Sequence, residues 1–483
     1  MQGISTILNI AQGALQANQM AMQVISHNMA NVNTPGYTRQ KAILEAQLPF
    51  SFDRLKLGLG VKVDSVIQYF DQFTTRTIHQ KAASLKEYES KASVLAYVES
   101  LWNETGEAPL SQTLDEFWNA WQEVANNPGD SAGRTALLGK GEILAQKFNS
   151  LSRDLQQTQH NITADIQTGV GEVNKLTEQI ARLNDQISSA ETSQTTANDF
   201  RDKRNQLLEE LSGWVGIRYI EQDNGAVTVL STGGVLLVNG NEHWDLSAAG
   251  ESIYYNGIAS DASDRITGGE IGGLLDLREE TLPQYQANLD EMAGTLIQQV
   301  NSLHLNGYNL AGNQGMYFFN NFQTAPNLPN SGDYGGAASY LSLSSDVLGH
   351  PENIGAGSAS GAPGDNGNAL AIAALQTDGT MSIRKWTITD RGANRASSAQ
   401  TETLDSYYQD LVGELGILTQ DTKQKQDFTQ SLMNGLQEVQ DSVSGVNLDE
   451  ELTEMMKAQH AYEAASKIIS VTDQMMQTLL SLR

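Results

Sequence analysis

Apolar residues recur at alternating intervals of four and three along both ends of the chain. The first stripe consists of Ile4, Leu8, Ala11, Leu15, Met22, Ile25, Met29 and Val32, with polar Asn18 as its one interruption. The last stripe consists of Leu448, Leu452, Met455, Tyr462, Ala465, Ile469, Met476 and Leu479. Such a strict stripe is typical of a coiled-coil seam rather than of the wider face of a core helix. Because neither helix can bury its stripe alone, we predict that the two ends pair and assemble with other copies of the chain.

Helical periodicity also runs through long stretches between the two ends. Apolar residues at three- and four-residue intervals extend from Ile162 to Ile187, from Leu282 to Leu303 and, less regularly, from Leu404 to Val439. Long helices on both sides of the centre predict a bundle in which the C-terminal half returns along the N-terminal half. The predicted fold is therefore mainly α with β-rich inserts: a terminal helical coiled coil, a long helical-bundle shaft and outer β domains. The coiled coil is assigned to residues 1–33 and 447–483, and the shaft to residues 34–212, 269–308 and 369–446.

Two segments depart from the helical pattern. In residues 213–268 the apolar period changes to that of strands, and Asp223-Asn224-Gly225 between two such strands is a strong hairpin signal. Residues 309–368 are rich in Gly, Ser, Asn and Pro and are predicted to mix loops with short strands. We predict that both segments are inserts carried on the shaft. Residues 38–68 also have a strand-like and loop-like pattern.

A turn is predicted directly after the first stripe. Pro35 disfavours a helical conformation at Thr34, and Pro35-Gly36 suits the two central positions of a type II turn. The side chains of Asn31 and Asn33 can cap backbone groups that the end of the helix leaves free. The residues of this turn are Asn31, Asn33, Thr34, Pro35, Gly36 and Tyr37.

Two strings at opposite ends of the chain resemble the paired terminal signatures of bacterial flagellar rod, hook and hook-associated proteins. The first is SHNMANVNTPGYTRQ at residues 26–40. The second is NLDEEL at residues 447–452, followed by AQHAYEAASKII at residues 458–469. Within this family, PGYTRQ, NLDEE and two internal stretches at residues 119–128 and 268–278 are most similar to hook-associated members. The length of 483 residues is also right for those members and long for most rod proteins.

The resemblance implies a structural protein that self-assembles at the junction between hook and filament. The implied partners are other copies of the chain, the hook protein below, and a second junction protein and the filament above. An export chaperone is expected on the C-terminal helix. The implied location is the extracellular flagellum, reached through the flagellar type III export pathway without a cleaved signal peptide. Two alternatives remain open: another axial protein, such as a hook or distal rod protein, and a secreted enzyme whose β-rich insert is the catalytic module.

Composition narrows the classes of partner. The chain has 30 basic and 57 acidic residues, a formal net charge of −27, which argues against binding to nucleic acid or to an anionic membrane. The absence of cysteine removes disulfides and thiolate chemistry. We find no secretory signal pattern and no apolar stretch near the ~20 residues that a membrane span needs. Taken alone, these features would place the chain in the cytoplasm, and only the resemblance to the flagellar family predicts export.

Candidate catalytic and metal-binding residues each have a simpler structural interpretation. His27 and His460 lie on the terminal helices, where an interface or solvent position is much more common than a metal site. The acids from Asp449 to Glu454 occupy the first turns of a helix, and Asn447 with Glu450 fits a capping box. The run from Gly355 to Gly361 lacks the features of a phosphate-binding loop and is better explained as a linker. We therefore expect no catalytic residue, cofactor or metal site, and we expect Trp118 and Trp121 to lie in the core.

Overall fold

The computed structural model describes residues 2–48, 50–52, 55–102, 109–191, 196–255, 258–321 and 334–481. Its helices are α1 (Gln2–Ala30), α2 (Gln72–Trp102), α3 (Leu110–Asn126), α4 (Ser131–Ala190), α5 (Asn198–Trp214), α6 (Gly269–Asp276), α7 (Leu282–His304), α8 (Ala337–Tyr340), α9 (Gly367–Ala373), α10 (Leu404–Ser444) and α11 (Leu448–Ser481). Its strands are β1 (Gln40–Ala46), β2 (Phe50–Phe52), β3 (Leu55–Leu57), β4 (Val61–Gln68), β5 (Ile217–Glu221), β6 (Val227–Ser231), β7 (Leu236–Asn239), β8 (Glu242–His243), β9 (Leu246–Ala249), β10 (Ser252–Tyr255), β11 (Ile258–Asp261), β12 (Ser382–Thr389) and β13 (Asn394–Thr401). Long helices with small antiparallel sheets confirm the prediction of a mainly α fold with β-rich inserts. The chain divides into two compact units, made of residues 1–86, 169–269 and 428–483, and of residues 87–168 and 270–427.

The first unit contains both chain ends. Helices α1 and α11 pack along each other in opposite directions, since Asn28 near the end of α1 contacts Glu451 near the start of α11. A long hairpin of β1 and β4 follows α1, with β2 and β3 paired farther along it. The hairpin comes close to α1 at Gly13, where an added Cβ would lie 2.9 Å from the backbone oxygen of Val61. Glycine at this helix position therefore permits the close approach of strand and helix.

The β-rich segment of the first unit is held by two asparagines on α4. Its strands form an antiparallel sheet in the order β5-β6-β7-β8 and a second sheet in the order β11-β10-β9. Asn184 is fully buried, and its Nδ2 donates to the backbone oxygens of Val227 (2.9 Å) and Gly240 (2.7 Å). Asn174 makes a matching pair of bonds with the backbone of Leu246. The predicted hairpin at Asp223-Asn224-Gly225 is present between β5 and β6, with Gly225 at a φ of +80°.

The second unit has an aromatic core. Trp118 and Trp121 are both buried, as predicted, and the ring of Trp121 lies 5.2 Å from the ring of Phe318. His304 is also buried there; its Nδ1 contacts the backbone oxygen of Met316 (2.8 Å), and its Nε2 accepts from the backbone N–H of Gly355 (2.9 Å). Because Nε2 accepts, the imidazole is neutral, and burial lowers its pKa to about 4.

The predicted helical segment 369–446 contains a hairpin that the sequence pattern did not identify. Strands β12 and β13 pair over their full length, from Ser382↔Thr401 to Thr389↔Asn394. Their stability depends on α7, whose side chains accept hydrogen bonds from the backbone N–H groups along the outer edge of β12. The acceptors Gln284, Asn288 and Glu291 bind the N–H groups of Ile388, Trp386 and Arg384 respectively. In residues 309–368, the described part contains α8, the start of α9 and two isolated bridges, Tyr308↔Gly357 and Phe319↔Leu343.

Candidate functional site

The turn after α1 has the predicted type II geometry. The backbone N–H of Tyr37 donates to the oxygen of Thr34 (3.2 Å), and Gly36 between them has a φ of +71°. Asn31 caps the helix end, because its Nδ2 donates to the backbone oxygen of His27 (3.0 Å) and its Oδ1 accepts from Thr34 Oγ1 (3.1 Å). Asn33 and Pro35 are exposed at the tip. The turn thus reverses the chain from α1 into β1.

Asn28 is the centre of a buried hydrogen-bond network around this turn. It is 1% exposed, and its Nδ2 donates to Glu451 Oε2 (2.9 Å) and to the backbone oxygen of Gln40 (2.9 Å). Its Oδ1 accepts from the Tyr37 hydroxyl (2.8 Å) and from the backbone N–H of Gln40 (3.0 Å). Both donors and both acceptor positions of the amide are satisfied, so the orientation of the amide is fixed. One side chain therefore ties together α1, the turn, β1 and α11.

The same network determines the proton position on His27. The Tyr37 hydroxyl has one proton and donates it to Asn28, so its contact with His27 Nδ1 (3.1 Å) must be one in which the imidazole donates. The other ring nitrogen, Nε2, lies 3.9 Å from Asp199 Oδ2 on α5. Burial and the nearby carboxylates raise the pKa of Tyr37 above its ordinary value, so the hydroxyl stays protonated at neutral pH. His27 is accordingly a structural contact of the turn.

Arg39 joins the first residues of β1 to the start of α11. Its Nε donates to Glu451 Oε1 (2.6 Å), and its Nη1 donates to Glu450 Oε2 (2.8 Å). Partial burial acts to lower the pKa of Arg39, but the two carboxylates outweigh this effect and the pKa is raised. Asn447 caps α11 as predicted, accepting from the N–H of Asp449 (3.0 Å). Glu450, predicted to complete the capping box, points its carboxylate to Arg39 instead.

Thr38 and Pro35 fasten the turn to α5. The Thr38 N–H and hydroxyl both donate to the carboxylate of Asp202, at 3.0 and 2.6 Å, and the Gln206 amide donates to the backbone oxygen of Pro35. Burial raises the pKa of Asp202 to about 6, while the hydrogen bonds from Thr38 favour the ionised form. The turn is therefore integrated into the first unit through contacts with α1, α5, α11 and β1.

Most buried positions in the seam between α1 and α11 are occupied by small residues. On α11 the buried positions are spaced by seven residues: Glu451, Ala458, Ala465 and Thr472. On α1 the buried positions are Ala11, Ala17, Val24 and Asn28. Small side chains permit two helices to approach closely, which leaves larger residues at the margins of the contact.

The predicted interface residues occupy two different environments. Partly buried residues comprise Ile4, Leu8, Leu15, Met22, Ile25, Met29 and Val32 at the N-terminal end, and Met455, Ile469 and Met476 on α11. Exposed residues comprise Leu448, Leu452, Tyr462 and Leu479, all on α11. Their part in assembly remains a prediction.

Several side chains of the network were not identified from the sequence. Asn28, Arg39 and Gln40 lie inside the family string, but no pattern in that string indicates their roles, and no local pattern marks Asp202. The sequence predicts Glu451 as one of the acids that stabilise the first turns of α11, yet it is 2% exposed and bridges Asn28 and Arg39. A usable signal existed, because Glu451 stands seven residues before Ala458 and fourteen before Ala465. That spacing places an acid in the seam itself.

Around the glycine-rich loop before α9, backbone N–H groups donate to an acid of the chain itself. Its N–H groups at Ser358, Ala359 and Gly367 all donate to the carboxylate of Asp365, at 2.6, 2.9 and 3.0 Å. The hydroxyl of Ser358 donates to the same carboxylate at 2.7 Å. This hydroxyl and the backbone N–H groups lower the pKa of Asp365 to about 2. The chain's own carboxylate thus fills the anion position.

Two properties of the described residues bear on other classes of function. No group of three or more His, Asp or Glu side chains in that part of the chain is arranged to hold a metal ion. No helix among the same residues is long and apolar enough to cross a membrane.

Comparisons with known families and proteins agree with this architecture. The family model described as "Flagellar hook-associated protein FlgK helical domain" matches residues 95–319. The models "Flagella basal body rod protein" and "Flagellar basal body rod FlgEFG protein C-terminal" match residues 8–38 and 441–482.

Similar proteins extend over the full chain. Flagellar hook-associated protein 1 of Bacillus subtilis is 29% identical, and the match covers 98% of this chain and 97% of that protein. The Escherichia coli protein of the same name is 24% identical over 99% of this chain and 100% of its own length. The solved structure of the flagellar hook junction protein FlgK from Burkholderia pseudomallei, 18% identical, has a TM-score of 0.64 and covers 76% of this chain and 100% of that one, which supports the fold. With both terminal signatures joined to the helical domain between them, the chain belongs to the flagellar hook-associated protein 1 family, the structural proteins of the hook–filament junction.

Proposed function

We propose that this chain joins the hook to the filament by assembling with copies of itself through its terminal helices. One observation carries the proposal: α11 leaves large apolar side chains in water after α1 has covered its seam. These side chains, 37–69% exposed, are Leu448, Leu452, Met456, Tyr462, Ile468, Val471, Met475, Leu479 and Leu480. Large exposed apolar surfaces mark contacts with other molecules.

The exposed residues lie on both sides of the α11 seam. With 3.5 residues per turn, Leu452 and Met456 fall on one side of the buried column and Ile468 and Met475 fall on the other. A helix that is apolar on several sides is stable only when it is surrounded. At least two neighbouring copies are therefore needed to cover α11, as in an inner layer of a closed or helical assembly.

The network at Asn28 supplies the mechanical connection. Arg39 and Asn28 hold Glu451, and Thr38 holds Asp202, so the terminal helix pair is attached to β1 and α5 at several points. Load applied to α11 in an assembly passes into the rest of the first unit through charge-assisted hydrogen bonds, which are among the strongest noncovalent contacts in proteins.

The proposed partners follow from the family and from the charge of the chain. They are other copies of the chain in a ring or helical assembly, the hook protein below, and a second junction protein and the filament above. An export chaperone would bind the exposed apolar side of α11 before assembly. We place the assembled protein outside the cell after type III export without a cleaved signal peptide. The net charge of −27 disfavours nucleic acid and anionic membranes as partners.

A test adds purified protein to cells that lack this protein and display bare hooks. Leu452→Asp and Met475→Asp each remove roughly 1.5–3 kcal/mol of apolar burial and place a charge in the contact. Both variants should lose filament attachment while keeping the thermal unfolding of the wild type. The control Ala164→Asp adds the same charge at an exposed position of α4 and should retain attachment. Normal attachment with both apolar variants would contradict the proposal.

A second candidate is another axial protein, such as a hook or distal rod protein. It is favoured by the two rod-protein models that match the chain ends. Deletion of the gene separates the two functions. A junction protein leaves hooks intact and causes flagellin to be shed into the medium, whereas a hook or rod protein leaves no hook.

A further inference from the structure

A cavity lies beside the turn that follows α1. It has a volume of 320 Å³ and is bounded by four parts of the first unit. These parts are the turn itself, the start of α2, the middle of α5, and the end of α10 with the residues that lead to α11. The volume is at the lower end of the range for small-molecule sites in proteins. The proposed junction function gives this space no role.

The charged side chains that line the cavity are all acidic. They are Asp202, Glu209 and Asp441, and no Lys or Arg is among the described residues of the lining. Asp202 accepts from Thr38, whereas the carboxylates of Glu209 and Asp441 make no hydrogen bond or ion pair with any described residue. Burial and the nearby Glu210 raise the pKa of Glu209, as expected for an acid without a neighbouring cation. The lining therefore favours a positively charged ligand.

Two buried polar side chains in the same lining also have no partner. His79 is 4% exposed; one of its contacts is with the ring of Tyr219, at 5.6 Å between ring centroids. Its Nδ1 is buried without a hydrogen-bond partner in the described part of the chain. Ser444 is 7% exposed, and its hydroxyl likewise has no partner among the described residues. Because buried polar groups are nearly always hydrogen-bonded, both groups indicate a place for a polar ligand.

These unpartnered groups can all accept hydrogen bonds. Burial lowers the pKa of His79 to about 4, so its imidazole is neutral at pH 7 and keeps a lone pair on one nitrogen. The hydroxyl of Ser444 has two lone pairs, and an ionised carboxylate can only accept. A ligand that satisfies these groups must carry several N–H or O–H donors. Together with the negative charge of the lining, this requirement describes a cation rich in N–H groups.

The position of the acceptors favours an extended organic cation over a metal ion. The acceptors extend from the buried wall, at His79 and Ser444, to an exposed position at Asp441. The buried wall also includes the apolar side chain of Ile78. No group of three or more His, Asp or Glu side chains among the described residues is arranged to hold a metal ion. A charged head on an apolar stem matches this mixture of carboxylates and apolar wall.

We propose that this cavity binds an organic cation that consists of an ammonium or guanidinium group on an apolar stem. The head pairs with Glu209 and donates to Ser444 and His79, while the stem lies along Ile78 towards Asp441. This chemistry has two sources, a Lys or Arg side chain of a partner protein and a free polyamine. The site is independent of the junction function, because all of it lies within the first unit of one chain.

The test measures binding of defined cations to the soluble full-length protein by saturation-transfer NMR at physiological salt. Arginine capped at both ends represents a side chain of a partner protein, and spermidine represents a free polyamine. Capped citrulline is the control ligand, since it has nearly the shape of capped arginine without the charge. We expect a dissociation constant of roughly 1 mM or below for at least one cation, and at least about tenfold weaker binding of citrulline. The cation that binds more tightly identifies the source.

Variants of neighbouring acids test the assignment to this cavity. Glu209→Gln keeps the shape of the side chain and should weaken binding about tenfold, because one charge-assisted hydrogen bond is lost. Glu210→Gln removes the same charge at the next, exposed position outside the lining and should leave affinity within about twofold of the wild type. Asp441→Asn, at an exposed position, should weaken binding about threefold. Equal losses in Glu209→Gln and Glu210→Gln would overturn the proposal, as would equal binding of citrulline or no binding of either cation.

A labelling experiment locates the bound cation. The chain has no cysteine, so Asn205→Cys provides a single thiol in the lining of the cavity. At saturation, the cation should slow the reaction of this thiol with methyl methanethiosulfonate at least about fivefold, because a ligand that fills a pocket excludes the reagent. A thiol at Glu210→Cys, outside the lining, should react at the same rate with and without the cation. Equal protection at both positions, or protection at neither, would place the ligand elsewhere and overturn the inference.

Discussion

Replacement of Glu451 by glutamine tests the network that holds the terminal helices to the body of the first unit. The carboxylate accepts from Arg39 Nε at 2.6 Å and from Asn28 Nδ2 at 2.9 Å. An amide of the same shape has one acceptor oxygen, so one of the two donors must face an NH2 group. Asn28 cannot rotate its amide to relieve this mismatch, because its oxygen already accepts from Tyr37 and Gln40.

The expected destabilisation follows from these contacts. A hydrogen bond to a charged group contributes about 1.5–3 kcal/mol, and Glu451 makes two of them. The loss at Arg39 is reduced because that side chain is one-fifth exposed and keeps its contact with Glu450. We therefore expect Glu451→Gln to lower the free energy of opening α11 by about 2–3 kcal/mol. This difference raises the open population roughly 30- to 150-fold.

Amide hydrogen exchange measures this opening directly. Exchange should accelerate in the first turns of α11 and around the turn at residues 34–40, with little change in the second unit. Glu450→Gln is the matched control, because the Glu450 carboxylate is 60% exposed where it contacts Arg39, so its loss should cost at most about 1 kcal/mol. Equal exchange in the two variants, or wild-type exchange in Glu451→Gln, would refute the reasoning.

Three further outcomes are expected. Gly36→Ala should lower the free energy of unfolding by about 1–2 kcal/mol because of the positive φ, and should lower it further because the added Cβ collides with the Gln206 amide. In denaturant unfolding, a second substitution, Gln206→Ala, should recover only the loss that the collision causes. Full additivity of the two substitutions would exclude the collision. Burial lowers the pKa of His79 and His304 to about 4, whereas a histidine in the unfolded chain has a pKa of about 6.5. As the pH falls from about 6.5 to about 4, only the unfolded chain takes up these protons, so the folded state loses stability. The raised pKa of Asp202, about 6, changes stability in the opposite direction over the same pH range. Because His79→Phe removes one of the two buried histidines, it should make the melting temperature less sensitive to acid. An unchanged pH profile would contradict this. Limited proteolysis of the soluble monomer should cut α11 beyond its first turns before it cuts the second unit or the rest of the first, since few side chains of α11 are buried. Protection equal to that of the core would show that the helix is stable without neighbours.

Much of the fold could be predicted because its signals are local. Periodicity identifies the long helices, Pro35-Gly36 predicts the type II turn, and Asp223-Asn224-Gly225 predicts the hairpin. Strands β12 and β13 were missed because the edge of β12 is completed by α7 side chains about a hundred residues earlier in the chain. A local pattern does not contain such a contact.

The site shows the same division between local and distant information. The capping role of Asn447 and the conformation of Gly36 depend on neighbouring residues and were predicted. The burial of Glu451 depends on Asn28 and Arg39, more than four hundred residues away, and was not. The spacing of Glu451 from Ala458 indicates a seam position, but only the folded chain shows which donors the acid meets there.

Glu451 is a charged residue in a seam that contains Ala458 and Ala465. Its contact with Arg39 can affect either the stability of the fold or the alignment of the two helices. Replacing a buried ion pair by well-packed apolar residues is often neutral or stabilising, so the contact between Glu451 and Arg39 need not make the fold more stable than an apolar one. A column that repeats alanine at Ala458 and Ala465 can, however, shift by one heptad with little change in packing. Such a shift would carry Glu451 away from Asn28 and leave buried donors without acceptors. We therefore predict that the polar contact fixes the register of α1 against α11.

The double variant Asn28→Leu with Glu451→Leu tests this assignment. Its thermal stability should be near that of the wild type, whereas the alignment of the two helices should become mixed. Since the chain lacks cysteine, pairs of introduced thiols report the alignment: one on α1 at Val24, and one on α11 at either Ala458 or Ala465. In the wild-type background only the pair with Ala458 should form a disulfide, because Val24 and Ala458 line the same groove. In the double variant the pair with Ala465 should form as well. Exclusive bonding to Ala458 in both backgrounds would show that the small residues alone set the register, and that the buried charge serves attachment to β1 instead.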